Sequence, residues 1–532
     1  MATESPSGSG SRPDPQSTGL TAPDRQADAP LSPGNTPPFE PEEPKKLGGT
    51  YWMCNVIEMW ERLAYYTLRP VAPIYVASAT EPGGLHLTQA HRGLIWAWWA
   101  IVQSLLPMVT GGYADRYGYK RTLFISITLN IIGYLMMAFL HSYWGFFAGI
   151  LVLALGTALF KPSLQATIAH SLTKGTSSLG WGLFYWVVNV GSLIGHYISP
   201  LLLGNPHSTQ GWKIMFLACA GFTAMNYLML FTIPDVPSGA SKTENPLQVF
   251  WRTIVHVFEP RLFTWLVIMS CFWLMMYQLW DLQPQFIEDW VNSESVARFM
   301  PFESWKEIGN WGILRVPQQV LISLNALLIV IFMIPVSWAV GRMRTLSCMF
   351  FGMLIATAGI LIAGLTGNGW MFLAGVVCFS LGEMLTGPKK NQYLGLIAPP
   401  GKKGLYLGYV NIPVGVGVGA GSYLAGYVYG HFGEKATLAL RYLIEHTPFG
   451  QGRTWDGSVS TLEAATGVSR TDAFAKLQEV LGQGGVEVTQ LLWDTYDPQY
   501  YIWIPFAAIG VAAAIALYIF GQLAKRWSDM NA

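Results

Sequence analysis

Charge is what this sequence has least of. Asp, Glu, Lys and Arg make up 12% of its 532 residues, about half of the ~25% usual in soluble domains. So few charges cannot cover the surface of a soluble fold of this size. No sign is in surplus either. The 32 basic and 31 acidic residues leave a net +1, which excludes a nucleic-acid partner, because nothing is left over to neutralise phosphates. Cysteine is sparse: Cys54, Cys219, Cys271, Cys348 and Cys378 stand in apolar runs at spacings that match no metal pattern, and they read as buried free thiols. Also missing are a phosphate loop, a Ser/His nucleophile arrangement and any His or Asp cluster with metal spacing, so neither an enzyme nor a cofactor or metal is expected. What the chain does have is apolar length. Hydrophobic residues reach 52%, with 22 Trp, 24 Tyr and 27 Phe, and the class that remains is a polytopic membrane protein.

Residues 1–47 are rich in Pro, Ser and Gly and cannot bury enough surface to offset ordering entropy, so a disordered tail is expected there. Apolar stretches of spanning length then recur near 50–77, 88–112, 122–139, 144–169, 181–203, 213–231, 262–290, 314–338, 345–365, 370–397, 405–429 and 500–524. These runs are continuous rather than alternating, which means helices and not a barrel. The expected fold is therefore an all-α membrane protein of twelve transmembrane helices in two six-helix bundles. One bundle covers 48–233 and the other 262–532, joined by a link at 234–261. Lys and Arg gather on one side, at Arg116, Lys120, Arg121, Lys174, Arg342, Arg344, Lys402, Lys403, Lys525 and Arg526. That bias places the link and both termini in the cytoplasm. Segments 291–313 and 430–499 then face outward. The second holds nine acids and five bases, with helical spacing at 434–446 and 469–482 and a possible cap from Ser469 to Asp472. It reads as a solvated cap, with a binding lid or partner site as the other reading.

A few spans carry charges: Glu58, Glu61, Arg62 and Arg69 in span 1, Lys161 in span 4, Asp281 in span 7 and Glu383 in span 10. Each mid-membrane charge costs about 2.5–3.5 kcal/mol, so these groups should face one another across a water-filled cavity. Glu58, Glu61 and Arg62 share one helix face, with Tyr66 a turn further on. A structural ion-pair cluster is the bland reading, and charges in several separate spans favour a functional one. His196 reads as packing rather than a proton relay. Gly415, Gly417, Gly419 and Gly421 read as close helix packing. Trp96, Trp98 and Trp99 read as packing or an interfacial belt. Asp281 either titrates or is merely solvated near the outer interface.

Several motifs carry a family resemblance. Glu58 to Tyr66, E-M-W-E-R-L-A-Y-Y, resembles the E-x-x-E-R-F-x-Y-Y motif of the proton-dependent oligopeptide transporter family within the major facilitator superfamily. Phe160-Lys161-Pro162 is similar to its F-K-P, and Phe184 to Leu193, F-Y-W-V-V-N-V-G-S-L, to its F-Y-x-x-I-N-x-G-S-L. Phe272-Trp273 with Gln278, Ser323-Leu324-Asn325 and Gly382-Glu383 resemble its spans 7, 8 and 10. Gly111 to Arg121 resembles the superfamily's loop between spans 2 and 3. The resemblance covers roughly 50–430 and the last span, and not 1–47 or 430–499.

The resemblance implies a proton-coupled importer of di- and tripeptides, monomeric and resident in the cell membrane. A zwitterionic peptide needs a cation at one end and an anion at the other. Arg62 and Lys161 suit the carboxylate, Glu383 and Asn325 the ammonium, and Tyr66, Asn189 and Trp273 line the site. Glu58 and Glu61, beside Arg62 and Lys161, would couple the proton. Gly111, Asp115, Arg116, Gly118 and Lys120 would staple a cytoplasmic gate, the bland reading being a positive-inside anchor. Another small substrate, such as nitrate, an amino-acid derivative or a peptide-like drug, is the alternative. Departures from the pattern include Leu63, Thr67 and Tyr277, and the pair Lys389-Lys390 close behind Glu383. Placed at the cytoplasmic mouth, these lysines are bystanders; reaching the cavity, they would shift preference towards anions.

Overall fold

Hydrocarbon offers no partner to an unpaired backbone N–H, so each long apolar run closes its own hydrogen bonds as a helix. The computed structural model describes residues 47–172, 177–204, 207–235, 251, 255, 257–309, 311–340, 343–397, 409–450, 455 and 458–527. The tail, most of the 234–261 link, and Lys174, Arg342, Lys402 and Lys403 lie outside the described residues, as does the side chain of Asp115. The described residues form twelve spans. Span 1 is Gly49–Leu68 with a short continuation Ala72–Ala77, and span 2 is Gln89–Leu105 followed by Pro107–Tyr117. Spans 3 to 6 are Tyr119–Phe139, Tyr143–His170, Ser177–Leu203 and Thr209–Thr232. Span 7 is Pro260–Met276, Gln278–Asp281 and Gln283–Trp290. Spans 8 to 12 are Gln318–Ala339, Thr345–Gly364, Gly369–Ile397, Asn411–Phe432 and Pro498–Ala524.

Three spans expected to be continuous are broken, and proline stands at one break in each: Pro70, Pro107 and Pro284, while the further break of span 7 at Tyr277 has none. Proline has no N–H to give and its ring crowds the preceding turn. By length and apolarity, nine of the described helices are able to cross a membrane. The other three spans are weaker for separate reasons. Span 1 carries Glu58, Glu61 and Arg62, span 2 is interrupted, and span 11 is diluted by six glycines. Spans 2, 4 and 6 each start with a hydroxyl cap. Thr88, Ser142 and Ser208 accept from the N–H of His91, Gly145 and Gly211 at 3.2, 3.1 and 3.0 Å.

The apolar interior divides with the chain. Residues such as Tyr75, Trp212 and Phe216, and a second group around Cys54, Phe160 and Leu164, pack among spans 1 to 6. Met269, Phe372, Trp503 and their neighbours pack among spans 7 to 12. Outward-facing aromatics and aliphatics ring the helices, Trp144 and Trp338 being 72% and 83% exposed, as a surface in contact with lipid requires.

The two sets of spans touch along span 2 against span 11 and span 5 against span 8. Glycine spacing makes the first contact possible. Gly415 and Gly419 turn one face of span 11 to Leu105 and Ile101 of span 2, while Gly417 and Gly421 turn another to Ser270 and Leu274 of span 7. At the far end of span 2, a Cβ on Gly93 would stand 2.7 Å from the carbonyl of Ser422 and 3.0 Å from the Cα of Gly426.

The segment at 430–499 corrects the reading as a solvated cap. It forms four helices, Lys435–His446, Val459–Thr466, Ala473–Leu481 and Gly485–Tyr496, of which only the first and third were foreseen. Leu438, Leu443, Leu462, Leu477 and Leu492 are buried in the same core as spans 7 to 12. Ser469 accepts from the Asp472 N–H at 3.3 Å, although the α-helix itself starts at Ala473. The ammonium of Lys435 is buried 3.9 Å from the Trp311 ring centroid and bonds Thr489 at 3.0 Å. Segment 291–313 leads into a small antiparallel ladder, Glu307–Ile308 with Leu314–Arg315.

The Gly93 contact is testable. A Gly93→Val substitution has rigid backbone on the opposite side, and overpacking of this kind costs about 1–3 kcal/mol. The variant should melt several degrees below the native protein in a detergent thermal-shift measurement. Gly387→Ala, where a Cβ meets nothing within 4 Å, should leave the melting point near that of the native chain.

Candidate functional site

Span 1 gathers its charges on one face because Glu58, Glu61 and Arg62 are three and four residues apart. All three are buried. Arg62 Nε stands 3.1 Å from the Glu58 carboxylate, and its Nη2 pairs with Glu61. The guanidinium also lies over the Tyr65 ring, 5.1 Å from its centroid. Lys161 arrives from span 4, immediately before Pro162 inside that helix. Its charged neighbours are Arg62, Glu61 and Glu58. The structure thus brings these four residues into one group, Lys161 half-buried beside the three buried side chains.

Beside them lies a cavity of about 140 Å³ between the two sets of spans. Tyr66, Arg69, Asn189 and His196 line it from one side, and Trp273, Asn325 and Glu383 from the other. Glu383 accepts from Asn325 Nδ2 at 2.9 Å, and the same amide reaches Ser380 at 3.0 Å. Asn189 donates to the carbonyl of Tyr185 at 2.9 Å. Tyr66 stacks on His196 at 5.7 Å and is in electrostatic reach of both Arg62 and Glu383. Arg62 and Lys161 are not in the lining. The His196 ring bonds its own helix through Ser192 at 2.7 Å, and its other nitrogen has no partner among the described residues. The Trp273 indole N–H is likewise unpaired. His196 is thus a buried ring packed on Tyr66 in the wall of the cavity.

Arg69 had no assigned role in the sequence, yet it connects the cavity to one end of the molecule. Its guanidinium pairs with the Asp281 carboxylate and lies over Trp99 and Trp96, at 5.0 and 5.5 Å from their centroids. The spacing from Arg62 was the available signal, since seven residues return to the same helix face. Asp281 is fully buried, which removes the reading of a solvated interfacial acid. It also accepts from the Ser422 hydroxyl, and its carbonyl accepts from Arg92. Trp96 and Trp99 are buried and serve this pair, whereas Trp98 is exposed.

Further links between the two sets of spans gather at the same end. Gln318 donates to the carbonyl of Pro70 at 2.9 Å, at the break in span 1. Gln89 donates to Glu434 at 3.0 Å. Arg470, from the 430–499 segment, pairs with Glu434 at 2.9 Å and donates to the carbonyls of His86 and Leu87 at 2.8 and 2.7 Å. His207, between spans 5 and 6, has its two ring nitrogens 2.8 Å from Glu81 and 3.5 Å from Glu307. Arg315 closes the group against Glu307 at 2.9 Å and Glu288 at 2.5 Å. None of Arg470, His207 or Arg315 had been singled out; His207 and Arg470 bind residues more than a hundred positions away, and Arg315 binds Glu307 across the small ladder, where no local pattern marks it.

At the other end, Gly118 takes φ +97° between span 2 and span 3, a conformation that side chains disfavour. Lys120 Nζ donates to the carbonyl of Ile233 at 2.7 Å, tying the start of span 3 to the end of span 6. Arg116 lies over the Tyr117 ring at 6.0 Å. Gly111 lies in the helix Pro107–Tyr117. Of the lysines behind Glu383, Lys390 reaches inward: its Nζ is 4.0 Å from the centroid of Trp273. Among the described residues no cluster of His, Cys, Asp and Glu able to hold a metal occurs.

With this geometry in view, the chain was compared with known proteins. The sequence pattern of the Major Facilitator Superfamily matches residues 60–388. The chain is similar to the peptide transporter YePEPT of Yersinia enterocolitica, 30% identical over 187 residues, which is 34% of this chain and 35% of that protein. The matched stretch therefore spans about a third of the relative's length. Among solved structures, it is similar to the peptide transporter POT in complex with sulfate, with a TM-score of 0.60 at 16% identity, covering 90% of this chain and 94% of that one. A nucleoside transporter, NupG, fits with a TM-score of 0.61 at 12% identity over 89% and 100% of the two chains. At such identities the likeness shows the fold alone.

The His207 cluster gives a pH prediction. Burial works against the charged ring, but Glu81, Glu307 and Glu288 outweigh it, and the pKa is pushed up from 6.5 to about 9. A raised folded-state pKa stabilises fully below the unfolded value, and the gain is lost as pH climbs through the folded one. The melting point should therefore fall between pH 6.5 and 9. His207→Gln should flatten that part of the curve and lower the melting point most at the acid end.

Proposed function

We propose, for a chain that belongs to the Major Facilitator Superfamily, proton-coupled uptake of di- and tripeptides by alternating access. Within the superfamily, the span-1, span-4 and span-5 motifs and the peptide-transporter relative support the proton-dependent oligopeptide transporter family. The observation that carries the reading is the split of charge between the two sets of spans that flank the cavity. Arg62 and Lys161 belong to spans 1 and 4, and Glu383 and Asn325 to spans 10 and 8. A zwitterion held between them favours closure of one set of spans on the other, because its two ends are satisfied only when both sides engage. The unpaired His196 nitrogen and Trp273 N–H are buried groups that a peptide amide would satisfy. Tyr66 and Asn189 add further polar contacts at the wall.

In this reading Glu58 and Glu61 carry the proton. Arg62 and Lys161 neutralise them when the site is empty of substrate. A peptide carboxylate competes for the same cations, and a carboxylate that loses its cation in a buried place takes up a proton. Substrate and proton occupancy are thereby linked. Inward proton movement supplies about 2.3 kcal/mol per charge per 100 mV. The Arg69–Asp281 and His207 groups act as the outer gate, and Gly111, Asp115, Arg116, Gly118 and Lys120 as the cytoplasmic clasp. The protein sits in the cell membrane as a monomer, with both termini in the cytoplasm.

Uptake of labelled dialanine into proteoliposomes tests the proposal. Accumulation should require an inward proton gradient. Lys161→Ala removes a charge-assisted bond worth about 1.5–3 kcal/mol, so uptake should fall about tenfold or more. Glu61→Gln should abolish gradient-driven accumulation and keep exchange of dialanine across the membrane. A Glu61→Gln protein that still concentrates dialanine would show that the proton is carried elsewhere.

A further inference from the structure

Span 10 brings a second charge up against the wall of the cavity. Lys390 follows Glu383 by seven residues, so two helical turns separate them and both side chains leave the same helix face. Its ammonium is held over the Trp273 ring at 4.0 Å, and Trp273 is a wall of the cavity. Its charged neighbours are Glu383, from its own helix, and Lys161, from span 4. Lys389, one position earlier, is turned away and has Cys348 of span 9 as its neighbour. Lys389 is buried there, and Lys390 is half-buried. This one is drawn in by an aromatic face and a carboxylate.

The charge count around the cavity gives Lys390 its consequence. Arg62, Arg69, Lys161 and Lys390 face Glu58, Glu61, Asp281 and Glu383, so the group is neutral when every carboxylate is ionised. Nearer the looped end, Glu434 is taken by Arg470, and Arg92 donates to Gln89 and to the Asp281 carbonyl. One transported proton on Glu58 or Glu61 leaves four cations against three carboxylates, a net +1. An uncompensated buried charge is costly, and a peptide of net −1 cancels it. Without Lys390 the protonated group would be neutral and matched to a neutral zwitterion.

We propose that Lys390 is a specificity-determining residue of the transport site and makes the protonated carrier prefer peptides that bear a side-chain carboxylate. The inference rests on the peptide reading above. The ammonium end goes to Glu383, the terminal carboxylate to the Arg62–Lys161 side, and the extra carboxylate to Lys390. A side-chain ammonium adds to the +1 and is disfavoured.

Competition against labelled dialanine in proton-driven proteoliposomes tests it, using alanyl-glutamate, alanyl-glutamine and alanyl-lysine. In the native protein, alanyl-glutamate should inhibit at about tenfold lower concentration than its neutral isostere alanyl-glutamine, and alanyl-lysine most weakly. The comparison of those first two peptides needs no variant. Lys390→Met should bring alanyl-glutamate level with alanyl-glutamine, and Lys390→Arg should keep the order. Dialanine uptake with equal inhibition by all three peptides overturns this inference alone, as does an unchanged order in a folded, transporting Lys390→Met protein. Absence of uptake of any peptide by the native protein overturns the peptide reading and this inference with it.

Discussion

A charge placed in hydrocarbon must meet an opposite charge or water, and the interior of this protein is arranged around that demand. Arg62 is the centre of it. Its guanidinium takes both Glu58 and Glu61, and Lys161 completes the group from another span. Removing any one member would leave a buried charge uncompensated, a far larger penalty than the loss of one contact. The apolar clusters on either side hold the helices that carry these charges. Glycines let span 11 press against span 2 and span 7 at once, and the cavity lies between the two sets of spans so positioned.

The same demand shapes the looped end. Asp281 is fully buried, and its carboxylate and carbonyl receive Arg69, Ser422 and Arg92 from spans 1, 11 and 2. One residue therefore ties four spans together. The breaks at Pro70 and Pro284 are part of this arrangement. A break in a helix frees carbonyls that need donors, and Gln318 supplies one at Pro70. The inserted helices at 430–499 extend the seal. They pack on the core of spans 7 to 12 through a leucine face and send Arg470 across to the carbonyls of residues 86 and 87. A motion that separates the two sets of spans at this end has to release these bonds together.

Much was legible in the chain. Apolar runs of spanning length, bounded by turn residues, locate the helices because each must satisfy its own backbone. Charges inside such runs identify Glu58, Glu61, Arg62, Lys161, Asp281 and Glu383 as special, since hydrocarbon tolerates few of them. Helical spacing places Glu58, Glu61 and Arg62 together, and small residues at four-residue intervals mark span 11 as a packing helix. These inferences need only periodicity and the cost of burying charge.

What the tertiary structure decided is which charges meet. Arg69 and Asp281 are more than two hundred residues apart, as are Gln89 and Glu434, and nothing local to either member names its partner. His207 and Arg470 look like ordinary loop residues in sequence, and only the approach of the two sets of spans gives His207 its Glu307 and Arg470 the carbonyls of His86 and Leu87. Lys390 is the plainest example. The sequence left it between the aqueous mouth and the cavity, because a long flexible side chain reaches either from the same backbone position. The Trp273 ring, brought from span 7, settles which end its ammonium takes. The sequence by itself determined the spans and the charges they must hide, through rules of one helix at a time. The pairing of those charges, and with it the cavity and its seal, depends on contacts between helices that are distant in the chain.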